Sequence, residues 1–304
     1  MKREYADRNG NPMTRAEVHA LATEELAARS GLAVLILPDT AALYDAVADV
    51  MIETLVRAGG KKVAMILPVG PTGQYPVFAE KVARRGIDCR NLWTFNMDEF
   101  LDRTGRTIPE SHPMSFRRCM MESFFNRIPE TLRMPLSQMH FPDHRNLDEI
   151  DRAFDEHAPD GVDLCIAGVG PRGHFAFNED PNIGHVEVSE EEFLADRTHL
   201  VPVDVSTVDM DALVASCGDR SAVPPFAVTI GPHDVLRAKR VDVVFFAGRF
   251  QRFALRETLF RRPTLHFPGS YLKVRKESSG RLVPQNITVW ATPEEAGPVT
   301  SRTI

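Results

Sequence analysis

The chain has 304 residues, of which 43% are hydrophobic and 26% charged, and a net charge of −6. That length suits one large α/β domain with a sizeable core, and the acidic balance argues against nucleic acid or an anionic membrane surface as partner. The four cysteines, Cys89, Cys119, Cys165 and Cys217, form no C-x-x-C pair, the first residues carry no apolar signal-peptide core, and no apolar run approaches the ~20 residues that span a bilayer; free thiols and a cytoplasmic location are expected.

Thr14-Arg-Ala-Glu17 fits a capping box, so a helix is expected from Thr14 to Gly31, with Val18, Leu21 and Leu26 on its apolar stripe. Ala33–Leu37 reads as a buried strand, Thr40–Gly59 as a long amphipathic helix, and Lys62–Leu67 as a second buried strand. The loop PVGPTGQYP leads into a helix expected over Val77–Arg85, which Gly86 closes. Asn91–Phe95, Val162–Ala167, Phe226–Ile230, Val241–Phe246 and Ile287–Trp290 read as further strands. Helices are expected at Ser115–Arg127, Leu147–His157, Pro232–Lys239 and Phe250–Phe260. Strands that are apolar on both faces and alternate with helices predict a mostly parallel sheet flanked by helices. Asp180–Ala222 reads as irregular, either a lid or a surface segment without a role.

Three loops at strand carboxyl ends carry chemistry-bearing residues, and in open α/β sheets ligands bind at those ends. In Gly168-Val-Gly-Pro-Arg-Gly173-His174 the glycines match G-x-G-x-x-G, but Pro181 blocks the long helix a dinucleotide site needs. The same loop presents His174 and Glu179. They read as a general acid/base pair, or as a histidine capping a turn beside a solvated acid. Gly70, Thr72, Gly73 and Gln74 form a turn before a helix N-terminus, which either approaches an anionic ligand or serves chain geometry alone. Asp98 and Glu99 follow a buried strand and point in different directions. One of them could abstract a proton alpha to a carbonyl; the other reading is a helix N-cap acid.

The ordered set Pro71-Thr-Gly73, Phe95-Asn-Met-Asp-Glu99, Pro109-Glu-Ser111 with Ser115-Phe116, Gly168-Val-Gly-x-x-Gly-His-x-Ala-Phe-Asn-Glu179 and Val223-Pro-Pro-Phe-Ala-Val-Thr-Ile-Gly231 resembles the glucosamine-6-phosphate deaminase (isomerase) family. The resemblance covers roughly residues 35 to 260. The more distant 6-phosphogluconolactonases share the Gly-His loop but not the second block or the Ala-Phe-Asn-Glu. The resemblance implies one modified Rossmann-like domain over residues 1–304, no cofactor and no catalytic metal, and conversion of glucosamine 6-phosphate to fructose 6-phosphate and ammonia. It implies that Asp98 moves a proton between C1 and C2, that His174 assists ring opening, and that Glu179 pairs with His174. It also implies that Gly70, Thr72, Gly73 and Gln74 belong to the sugar-phosphate cradle. The expected partner is a small-molecule sugar phosphate, with no nucleic acid and no membrane; relatives are often oligomeric, which leaves a homo-oligomer open.

The chain departs from the family at several points. Arg172 stands where the family has an acid of the histidine's relay, and a cation there is expected to lower the His174 pKa. The family's basic phosphate ligands fall near His199 and Val201, and its later lysine falls near Gln251, with Arg252 beside it. Two readings follow: Arg172 faces the pocket and binds an anionic group of an altered substrate, or the protein is a weakened relative that only binds a sugar phosphate. A lactonase-like hydrolase is a further alternative.

Overall fold

The computed structural model describes residues 4–182, 187–277 and 279–300. A short hairpin, β1 (Tyr5–Ala6) and β2 (Pro12–Met13), precedes α1 (Arg15–Ala20) and α2 (Glu25–Ser30). The Thr14 capping box forms as its sequence predicts, but the expected single helix breaks at Leu21, whose extended backbone ends α1. Then come β3 (Ala33–Ile36), α3 (Thr40–Arg57), β4 (Val63–Leu67), α4 (Gln74–Arg85), β5 (Leu92–Asn96), β6 (Asp98–Leu101), α5 (Phe116–Ser123), β7 (Met139–His140), α6 (Leu147–His157) and β8 (Leu164–Ala167). The chain continues through α7 (Glu190–Ala195), β9 (His199–Pro202), α8 (Val205–Ala215), β10 (Phe226–Thr229), α9 (Pro232–Val235), β11 (Val241–Val244) and α10 (Gln251–Phe260). A second hairpin, β12 (Val274–Lys276) with β13 (Leu282–Pro284), leads to β14 (Ile287–Ala291) and α11 (Pro293–Ala296).

Seven strands form one sheet in the order β3-β14-β11-β8-β4-β5-β7, and every pairing within it is parallel. Successive side chains on a strand point to opposite faces. On β4, Ala64 and Ile66 join the core on one side of the sheet, while Val63, Met65 and Leu67 join the core on the other. β8 divides in the same way, with Cys165 and Ala167 on one side and Leu164 and Ile166 on the other. All nine residues of β4 and β8 are buried, and each large apolar side chain among them contributes about 1.5–3 kcal/mol over exposure. β3 departs from the expected buried strand: it is the sheet edge, and Leu35 is 44% exposed.

A second sheet, β6-β10-β9, is antiparallel. Met97 joins the two sheets: its N–H donates to Leu67 and its carbonyl accepts from Ile230. The segment expected to be irregular therefore supplies α7, β9 and α8, and the chain turns from one sheet to the other beside Asp98. Among the described residues no helix is long and apolar enough to cross a membrane.

Candidate active site

The loops after β4, β5, β8 and β11 converge with α8 on one cleft of about 340 Å³. Gly70 and Thr72 line it from the β4 loop, Asp98 from the start of β6, and His174 from the β8 loop. Phe246, Ala247, Phe250 and Gln251 line it after β11, and Thr207, Met210, Asp211 and Val214 come from α8. A larger, more open hollow of about 860 Å³ lies between residues 99–117 and 141–149. Of its arginines, Arg145 pairs with Asp143 and Arg117 with Glu110; it contains neither His174 nor Asp98.

The β8 loop folds back on itself through the Gly170 N–H to the His174 carbonyl and the Gly173 N–H to the Gly170 carbonyl, both 2.9 Å. A Cβ on Gly170 would lie 2.1 Å from the His174 ring, so the position has room only for glycine. Gly173 has φ +93° and packs on the Phe267 ring, while its carbonyl accepts from the Gly269 N–H at 2.6 Å. A positive φ favours glycine because it has no Cβ. This turn brings His174 Nδ1 to 2.7 Å from Glu179 Oε1. Thr207 Oγ1 donates to the same Glu179 oxygen at 2.6 Å and lies 3.4 Å from His174 Nδ1. With Nδ1 so engaged, Nε2 is the nitrogen left for a ligand.

Burial by itself would lower the His174 pKa, but Glu179, Asp211 and Asp98 outweigh it and hold the pKa above its ordinary value. The expected lowering by Arg172 is thus overturned. Arg172 Nη1 lies 3.3 Å from Asp204, whose carboxylate also caps the N-terminus of α8. The Arg172 side chain is 45% exposed and is not part of the cleft lining. Nearness to His174 along the chain did not carry over into side-chain direction.

Burial, reinforced by Glu99, pushes the Asp98 pKa up to about 8. Asp98 makes no hydrogen bond or ion pair within the described residues. Glu99 points the other way, as alternation along β6 requires. It accepts from the N–H groups of Phe100, Phe116 and Arg117 at 2.8–3.0 Å and from Ser115 Oγ at 3.0 Å, so it anchors the start of α5. Of the two acids, Asp98 meets the cleft and Glu99 serves a helix terminus.

Two further loop residues differ from expectation. Gln74 is fully buried; its Nε2 donates to the Pro71 carbonyl at 2.8 Å, and it does not line the cleft. Gly73 does not line it either: a Cβ there would strike the Tyr44 ring. The reason for both is that α4 begins at Gln74 and turns its first residues into the core. Gln251 lines the cleft, but its amide is already used, accepting from the Phe246 and Ala247 N–H groups and donating to the Val169 carbonyl. Arg252 turns away to the carbonyls of Glu294 and Pro298, and His199 Nδ1 lies 2.7 Å from the Arg197 carbonyl.

Sequence reasoning missed the α8 residues, above all Asp211. Burial, and after it the Glu179 charge, lifts the Asp211 pKa to about 6, against the opposing pull of His174. Among the described residues the Asp211 side chain makes no hydrogen bond or ion pair. Its only sequence signal is an unpaired acid in a mixed helix, Val205-Ser-Thr-Val-Asp-Met-Asp211.

No family model matches the chain. It is 28% identical over 211 residues to a glucosamine-6-phosphate deaminase of Thermoanaerobacter sp. (strain X514), covering 68% of this chain and 75% of that protein. It is 29% identical over 204 residues to the Caenorhabditis elegans glucosamine-6-phosphate deaminase, covering 66% and 69%. With glucosamine-6-phosphate deaminase 2 of Mus musculus it shares 32% identity over 200 residues, 62% of this chain and 63% of that one. Among solved structures, a monomeric glucosamine-6-phosphate deaminase superposes with a TM-score of 0.71 at 21% identity, covering 87% of this chain and 99% of that chain. A 6-phosphogluconolactonase of Thermotoga maritima gives 0.58 at 18% identity, covering 86% and 99%. These two establish a shared fold.

Proposed function

We propose that this chain, a divergent relative of the glucosamine-6-phosphate deaminase family, is an amino-sugar isomerase/deaminase with Asp98, His174 and Glu179 as its working groups. The observation that carries the reading is that the unpaired Asp98 carboxylate and the His174–Glu179 pair share one cleft at the ends of parallel strands. The whole chain, residues 1–304, is read as one catalytic domain.

In the proposed reaction His174 Nε2 gives a proton to the ring oxygen of the pyranose while the C1 hydroxyl releases its proton to water, and Glu179 balances the charge on the imidazolium while it forms and decays. The open-chain sugar then presents a C1 aldehyde and an amine on C2. Ionised Asp98 removes the C2 proton while water returns a proton to O1, which gives an enolamine; Asp98 then passes its proton to C1, leaving a protonated imine at C2. Water adds to that carbon, ammonia departs, and a ketose is left. Electrons and protons balance without an oxidant or reductant. Gly70 and Thr72 border the sugar from the β4 loop.

The test is ammonia release from glucosamine 6-phosphate and a panel of amino sugars with and without phosphate. Turnover that Asp98→Asn abolishes supports the reading. Turnover that Asp98→Asn leaves intact, or no ammonia from any of them, ends it, and hydrolysis of 6-phosphogluconolactone would put a lactonase in its place.

A further inference from the structure

We propose that Asp211 is a positioning residue of the active site: from the cleft face of α8 it supplies a second carboxylate, beside Glu179, that keeps the His174 imidazole in its protonated, proton-giving form. The proposal rests on the isomerase/deaminase reading and adds to it the group that readies its acid.

Thr207, Met210, Asp211 and Val214 all line the cleft, and helical positions three and four apart share one face. Asp211 is the one ionisable member of that stripe. Thr207 fixes where the stripe sits: its Oγ1 donates to Glu179 Oε1 at 2.6 Å and lies 3.4 Å from His174 Nδ1. Asp211 stands one turn further along α8, which places its Cβ about 5–6 Å from that of Thr207. Helical side chains lean back toward the N-terminus of their helix. The Asp211 carboxylate is thus brought over the turn that touches the imidazole.

The charged groups facing His174 come from three parts of the chain. Glu179 lies on its own loop, Asp98 begins β6, and Asp211 and the cap residue Asp204 belong to α8. Asp204 is paired with Arg172, the cation of the histidine's loop. Burial works against the imidazolium, and Glu179, then Asp211 and Asp98, work for it. The last two differ in when they are charged. Burial pushes the Asp98 pKa up to about 8 but lifts that of Asp211 only to about 6. At neutral pH Asp211 is therefore ionised while Asp98 still holds its proton, and the second negative charge on the imidazolium is that of Asp211.

The experiment follows the His174 ring-proton signals by NMR against pH in the ligand-free full chain, assigned by their loss in His174→Gln. In the wild type the midpoint is expected above the ordinary histidine value of about 6.5. Asp211→Asn should lower it, at unchanged or higher melting temperature because a carboxylate that burial penalises is removed. Asp211→Glu should restore part of the shift, and Asp209→Asn, exposed on the same helix, should leave the midpoint unchanged. Ammonia release from glucosamine 6-phosphate is measured beside it. Asp211→Asn should lose about three- to tenfold in kcat/KM above neutral pH, and the loss should shrink as pH falls and the imidazole regains its proton. A midpoint unmoved by Asp211→Asn, or moved equally by Asp209→Asn, overturns the proposal, as does a rate loss that is the same at every pH. An unmoved midpoint with ammonia still released leaves the isomerase/deaminase reading standing. A lowered midpoint in a chain that releases ammonia from no amino sugar supports the role of Asp211 and sinks the reading it rests on.

Discussion

One wall of the cleft is made by the carboxyl ends of β4, β5 and β8, and the opposite wall by α8, which follows β9 and precedes its antiparallel partner β10 along the chain. The first wall rests on strands buried on both faces, with parallel neighbours on each side. The second rests on a helix whose outer face leaves Val205 and Leu213 63–70% exposed and which is tied down by its Asp204 cap and the Arg172 pair. A wall packed at core density holds groups to the tolerance that proton transfer demands. A helix held by surface contacts can change its side chains at little cost to stability. The proposed proton transfers thus belong to the rigid wall, and substitutions on the outer face of α8 are the better tolerated.

Substitutions on the rigid wall should have the largest effects. Asp98→Asn should lower kcat by about 10²–10⁴-fold, read as ammonia release; a variant retaining a tenth of the wild-type rate would break the assignment of proton transfer to that wall. His174→Gln should cost about 10²-fold, least with substrates supplied already ring-opened. Gly170→Ala puts a methyl group into the His174 ring; displacing the imidazole by about 1 Å should cost about 10²-fold in kcat. A crystal structure of the variant with the ring unmoved would dismiss that explanation.

The pH dependence sharpens the same comparison. Asp98 acts as a base only when ionised, so kcat/KM should rise with pH and level off above about 8, the value to which burial pushes its carboxyl. Its folded-state pKa lies above the unfolded one, so its contribution to stability is complete below the ordinary carboxylate range and is lost as pH rises through about 8. Asp98→Asn should therefore flatten the decline in melting temperature between about pH 4 and 8; an unchanged slope would show that the group titrates elsewhere. The smallest effect belongs to the other wall. Arg172→Ala removes a half-exposed pair of a kind worth about 0–1 kcal/mol, so stability and kcat should shift only slightly, and a loss of kcat beyond tenfold would mean that the pair holds α8 over the site.

The same division explains what the sequence disclosed. Val63–Leu67 and Leu164–Ala167 could be read as strands because they are apolar on both faces, and the loops after them were placed at one edge by that reading alone. Asp98 and Glu99 were rightly read as diverging, but only β6 shows which of them meets the cleft. Gln74 departs from expectation because a helix expected only from Val77 leaves it in the ligand turn, whereas α4 begins at Gln74 and turns it inward. Asp211 was invisible because its surroundings, His174, Glu179 and Asp98, come from other segments. No periodicity in Val205–Ala215 separates its cleft face from its exposed face.

The contacts of Gly173 with Phe267 and Gly269, joined by the 2.9 Å pair between Asp180 and His266, also set a timetable. A nascent chain leaves the ribosome with β4, β5 and β8 long before Phe267 emerges, so it holds Asp98 and His174 before it holds the clasp that fixes the histidine's turn. Synthesis that stops short of Phe267 would yield a product with its acids and its imidazole present and its histidine unlatched. The histidine's turn is therefore complete only once residues 266–269 have packed against it.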